Sequence, residues 1–140
     1  MIHLRRLAMA GLAMVLAGCT ASSGPGQASV MAGTWTYTGT RDTPNPASID
    51  GSGTLAAADG GFEGTFTITE RATSGSVVTL AATVAGSVVA DSVADFDLAV
   101  QGVARRHVGV LRGDSVSGSW ASAGSASNAS GRFVLRRVRP

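Results

Sequence analysis

One cysteine, Cys19, is the only thiol in these 140 residues, and lysine is absent altogether. No internal disulfide can form, so folding must rest on an apolar core. Histidines number two, His3 and His107, and aromatic residues make up 5% of the chain. Catalysis and metal binding are short of material. A serine nucleophile needs a base and an orienting acid in contact, and serine is so common here that His107 beside some Ser and Asp identifies nothing. Gly-x-Ser-x-Gly does not occur in a strand-turn-helix context. Asp91, Asp95 and Asp97 lack the spacing of a calcium loop, and one histidine with scattered acids makes no zinc set. The sequence therefore predicts a protein that is not an enzyme and that has no metal site and no cofactor.

What is present begins at the N-terminus. Met1 to Arg6 is polar and basic, and Leu7 to Gly18, LAMAGLAMVLAG, is an uncharged apolar run. That length suits the core of a secretory signal and is too short to span a bilayer. Leu16-Ala17-Gly18-Cys19 matches the lipobox position by position, so the N-terminus resembles that of bacterial lipoproteins. The resemblance implies that residues 1–18 are a cleaved signal peptide and that Cys19 becomes the first mature residue. Its sulfur would carry a diacylglycerol, and its amine an acyl chain. Two or three chains hold a protein stably at a membrane where one does not. Otherwise Cys19 is a plain thiol in an ordinary signal or anchor helix. Thr20 in place of aspartate favours the outer membrane over the inner in a Gram-negative host, so the expected location is the bacterial cell envelope.

Cleavage changes the charge balance. The chain has 11 Arg against 9 Asp plus Glu, and loss of Arg5 and Arg6 leaves nine against nine. The sequence pI of about 9.5 thus owes much to a discarded segment, and a nucleic-acid partner is not expected. Charge is uneven all the same: Asp91, Asp95 and Asp97 cluster, while Arg132, Arg136, Arg137 and Arg139 crowd the C-terminus. These read either as solvated or mutually paired ends, or as a basic tail on anionic headgroups.

On the lipoprotein resemblance residues 19–32 are a lipidated N-terminus, and their Ser/Gly-rich composition predicts a flexible tether. The remainder, 33–140, has the size of one domain. Its pattern has period two. TWTYT puts Trp35 and Tyr37 on one face, FEGTFTI collects Phe62, Phe66 and Ile68, and VVTLAATV collects Val78, Leu80, Ala82 and Val84. DFDLAV, SVSGSW and RFVLRR repeat the alternation around Phe96, Trp120 and Phe133. Such alternation, rich in Thr, Val and aromatics, marks half-buried strands. Turn signals lie at Asp42 to Pro46, Ala58 to Gly61, Thr73 to Gly75, Ala85-Gly86, Gln101-Gly102 and Arg112 to Asp114, with a loop from Ala123 to Ser130. About eight short strands follow, in an antiparallel up-and-down barrel or meander. Gly53, Gly64, Ala82, Gly109 and Gly118 point inward, which fits tight coiling or a narrow interior. Arg112-Gly113-Asp114 is a hairpin turn, and Asn128-Ala129-Ser130 a loop.

Gly33-Thr34-Trp35 opens the first strand, and Arg136 and Arg137 lie on the last. This is similar to the calycin group, lipocalins and avidins among them. The resemblance implies a barrel floor closed by Trp35 with an arginine, Arg136 or Arg137, packed across it. No avidin pattern for biotin is recognisable. Trp35 and Trp120 fit plain core packing first; if the barrel holds a ligand, Trp35, Tyr37, Phe66 and Trp120 are the residues to contact it. An eight-stranded barrel holds one small ligand or is filled. Two functions stay open: a lipid-anchored envelope barrel that binds a small hydrophobic molecule or lipid, or a filled, non-enzymatic lipoprotein whose surface engages an envelope protein or glycan, in the manner of a protease inhibitor.

Overall fold

A computed structural model describes residues 30–90, 92–123 and 128–140. The expected signal segment, Cys19 and most of the expected tether lie outside the described residues. Eight strands follow one another: β1 (Gly33–Arg41), β2 (Ala47–Ala58), β3 (Gly61–Ala72), β4 (Val77–Val89), β5 (Val93–Val100), β6 (Val103–Arg112), β7 (Ser115–Ala123) and β8 (Ser130–Arg137). Each pairs antiparallel with the next, and β8 returns to β1, so the sheet is a closed barrel without an edge. Every strand is paired on both sides and the core lies inside, so residues 30–140 form a self-contained unit.

Alternation decides which side chains enter. Trp35 and Tyr37 of β1, Phe66 and Ile68 of β3, Phe96 and Leu98 of β5, Trp120 of β7, and Phe133 and Leu135 of β8 are all buried inside. The outer wall carries Thr34, Thr36 and Thr38 on β1 and Glu63, Thr65 and Thr67 on β3, exposed to solvent. An apolar interior inside a polar wall is the inverse of a membrane-spanning barrel, whose outer face is apolar.

The turns are tight and mostly where Gly invites them. Gln101 and Gly102 both have positive φ, 51° and 78°, as a two-residue hairpin that matches strand twist requires. Ala85-Gly86 is a correction. Instead of turning, both lie within β4, opposite Asp97 and Phe96. A Cβ at Gly86 would run into the Phe96 backbone and Cβ, so this glycine serves close strand approach. The chain turns at Ala90, whose φ is 51°.

The barrel has two unlike ends. The floor end holds Gly33, the β6–β7 turn and the C-terminus; Met31 and Trp35 are fully buried there. The mouth end holds Arg41, the β5–β6 turn and Ala129, just before β8.

Candidate functional site

Charged residues enter the barrel at the mouth by continuing the apolar parity of their strands. Glu70 follows Phe66 and Ile68 on β3, and Arg41 follows Trp35 and Tyr37 on β1. Arg105 precedes His107 on the inner face of β6. Arg41 Nη1 donates to Glu70 Oε2 at 2.8 Å, and Arg105 Nη1 donates to Oε1 at 2.5 Å. Since β3 and β6 are three strands apart in an eight-stranded ring, the Glu70–Arg105 pair crosses the bore. The side chains are 20% (Arg41), 10% (Glu70) and 13% (Arg105) exposed, so they are shielded but still reachable. Arg41 is held from behind by the carbonyl of Asn45, which accepts from its Nε at 2.9 Å. The Arg105 guanidinium lies 5.0 Å from the ring centroid of Trp120, a cation–π contact that keeps it flat.

Around this bridge is a cavity of about 440 Å³, lined on its apolar side by Val78, Leu80, Val100 and Val103. Its charged lining residues are Arg41, Arg105 and Glu70, a net charge of one positive. Volume and lining fall in the range of small-molecule sites: mostly apolar, with a few convergent polar groups. A larger concavity of about 660 Å³ lies on the outer wall of β2 to β5 among Ser, Thr and Ala side chains, with no charged group to orient a ligand.

Beneath the bridge the bore is filled. His107 is fully buried, stacked on Phe96 with centroids 4.8 Å apart, parallel to Trp120 at 6.0 Å and edge-on to Phe133 at 4.7 Å. Its Nδ1 lies 2.8 Å from the carbonyl oxygen of Arg105. A carbonyl only accepts, so Nδ1 carries the hydrogen. Nε2 is therefore the acceptor for the Tyr37 hydroxyl, 3.0 Å away. Burial pushes the His107 pKa down to about 4, against the raising effect of its bond to the Arg105 carbonyl; the ring is neutral at pH 7. Burial likewise pushes the Tyr37 hydroxyl well above its ordinary value. Among the described residues no buried side-chain nitrogen or oxygen lacks a partner.

The residues singled out from the sequence fall into three places. Trp120 borders the mouth through Arg105, and its indole N–H donates to the Thr40 carbonyl at 3.0 Å. Gly131 permits that bond, because a Cβ there would collide with the same carbonyl and press on Nε1. Tyr37 lies one layer lower, against His107, and Phe66 is buried in the wall. Trp35 is at the floor, its Nε1 donating to the Met31 carbonyl at 2.9 Å, with the Arg137 guanidinium 4.4 Å from its ring centroid. Arg137 also donates to the carbonyls of Val30 and Ala32 and to Asp114. Arg136, one residue earlier, points to solvent. Arg41, Glu70 and Arg105 were not legible as a site in the sequence, although a charged residue continuing an apolar parity was a signal for each of Arg41 and Glu70. Asp95 pairs with Arg106, whose hydrogen bond lowers the Asp95 pKa. Asp114 is held low in the same way, first by Arg139. Among the described residues no group of three His, Cys, Asp or Glu could hold a metal.

No protein-family model matches this chain, and no curated protein does. Solved structures do resemble it. One, described as EF1p2_mFAP2b bound to DFHBI, superposes with a TM-score of 0.58 over 82% of this chain and all of its own, at 14% identity. Another, a fluorescence-activating β-barrel of de novo design, gives a TM-score of 0.50 over 79% of this chain and 96% of its own, at 16% identity. At such identities the likeness speaks for the fold: a small closed β-barrel.

Proposed function

We propose that this protein is a non-enzymatic, lipid-anchored protein of the bacterial envelope whose barrel mouth binds a small amphipathic molecule. One observation carries the reading: a cavity of about 440 Å³ in which an Arg41–Glu70–Arg105 bridge faces an apolar wall of Val78, Leu80, Val100 and Val103. The polar end of a ligand meets the guanidinium groups, and its apolar part lies on the valines and Leu80. The aromatic cage around His107 is the bottom of that site rather than its interior. A barrel of related fold holding DFHBI is support by analogy. The anchor rests on the lipobox at Cys19.

The test is chemical-shift mapping with decanoate as the probe. Amides of Leu80, Val100 and Arg105 should move on titration while those of Phe62 and Val116, near the floor, stay still. Shifts spread over the outer wall, or none, would reject the mouth as the site.

A second reading draws on the filled interior and on Val77, Val78 and Val103, which are 60%, 47% and 44% exposed at the rim. On that reading the rim docks an envelope protein or glycan and the cavity stays empty.

A further inference from the structure

Acid and base are segregated around the barrel. β6, β7 and β8 carry Arg105, Arg106, Arg112, Arg132, Arg136 and Arg137 and no Asp or Glu. β2 to β5 carry Asp50, Glu63, Glu70, Asp95 and Asp97 against one arginine, Arg71. Two of the six arginines, Arg105 and Arg137, turn inward to the mouth and floor. The other four are exposed on the outer wall. Arg106 pairs with Asp95, while Arg112, Arg132 and Arg136 make no ion pair among the described residues.

Register fixes how the four are arranged. Arg112 and Arg136 both face Ser115; Val108 and Arg132 both face Ser119; Val110 and Val134 both face Ser117. Val108 and Val110 are 42% and 41% exposed. The result is an apolar centre framed by guanidinium groups, with only short serine and alanine side chains on β7 between them. A concavity of about 490 Å³ lies between Arg106 and Arg132, with one carboxylate, Asp42, also in its lining.

We infer that this β6–β8 wall is a second contact with the membrane, made by the protein itself to anionic phospholipid. Guanidinium groups take phosphate oxygens in pairs, and the arginine stems and valines suit the boundary between headgroup and acyl chain. A nucleic acid is disfavoured because every aromatic side chain of the barrel is buried, leaving no platform for base stacking. The chain enters at the floor, beside the ends of β6 and β8 that bear Arg112 and Arg136. Cys19 is eleven residues before Val30, a span of at most about 40 Å, so an acylated Cys19 would hold this wall within reach of the bilayer. The contact itself does not require the acyl chains, and it lies apart from the mouth. The C-terminal tail is not the centre of the patch: Arg137 is committed to Trp35 and Arg139 to Asp114.

Sedimentation with lipid vesicles tests this. Residues 30–140, checked for folding by near-ultraviolet circular dichroism, are mixed with vesicles of phosphatidylcholine alone or with an equal part of phosphatidylglycerol. Binding should appear only with phosphatidylglycerol and vanish at about 1 M salt, where the screening length is about 3 Å. Each arginine near an anionic surface contributes about a five-fold factor, so the double substitution Arg132→Gln/Arg136→Gln should weaken binding about 25-fold. Arg71→Gln, on the acidic sector, should leave it unchanged. Binding equal on both vesicles, full retention by the double variant, or binding to dextran sulfate but to neither vesicle would overturn the inference.

Discussion

The Tyr37 hydroxyl donates to Nε2 of His107 at 3.0 Å, and the same ring donates from Nδ1 to the Arg105 carbonyl at 2.8 Å. One buried imidazole thus ties β1 to β6 across the bore and is locked in a single tautomer directly under the Arg105 bridge. It is satisfied only while neutral at Nε2, since a protonated ring cannot accept from the phenol.

Acid should therefore weaken the fold through His107. Its folded pKa of about 4 is below the ordinary 6.5, so the unfolded chain takes up the proton first as pH falls. The associated stability is complete above pH 6.5 and is lost on descent to about 4, a change of about 3 kcal/mol. Asp95 and Asp114, whose pKa values are lowered from 3.8, lose their contribution only below that window. Urea unfolding at several pH values should show the slope in wild type and a flat response in Tyr37→Phe/His107→Phe.

Tyr37→Phe alone should cost about 1–3 kcal/mol at pH 7, because it strands the His107 acceptor in the core. The double substitution with His107→Phe should cost less than the sum of the singles. Additive costs in that cycle would mean that the two side chains do not act on each other.

At the floor, neighbouring arginines should behave differently. Arg137→Ala removes the contact with the Trp35 ring and the bonds to Val30, Ala32 and Asp114, a loss of about 1–3 kcal/mol. Arg136→Ala, on an exposed side chain, should stay within about 0.5 kcal/mol of wild type. Thermal unfolding of the two variants checks the contrast, and equal losses would put the arginine on Trp35 in the wrong register.

At the mouth, Glu70→Gln leaves two partly shielded guanidinium groups facing one another without their carboxylate. With side-chain exposures of 10–20%, solvent screens part of that repulsion, and the expected loss is about 1–3 kcal/mol. Added salt should narrow the gap between variant and wild type in urea unfolding.

How much of this could be read from the sequence depended on what filled the inward positions. Where they were aromatic or aliphatic, as in Trp35-x-Tyr37 or Phe96-x-Leu98, the strand was plain. β2 gave a weak signal because Gly51 and Gly53 occupy its inward face and neighbouring strands fill the space. β6 inverts the pattern: Arg105 and His107 point in while Val108 and Val110 point out, so its polar inner face reads as a surface. The mouth bridge was hidden for the same reason, being assembled from residues 29 and 35 positions apart in the chain. Trp35 and Trp120 were identifiable as aromatics on inner faces; the likeness to calycins offered Arg136 or Arg137 as the cover of the first, and the structure has Arg137 there, whereas Arg105 over the second was not legible.

Ligand binding at the mouth is tested most directly by native mass spectrometry of residues 30–140 after incubation with a lipid and metabolite extract of the producing cells. The expected spectrum shows an added mass that disappears on denaturation and is lost in the folded Arg105→Gln variant. An unmodified mass for the wild-type barrel, or an adduct that Arg105→Gln retains in full, would refute binding at the Arg41–Glu70–Arg105 bridge.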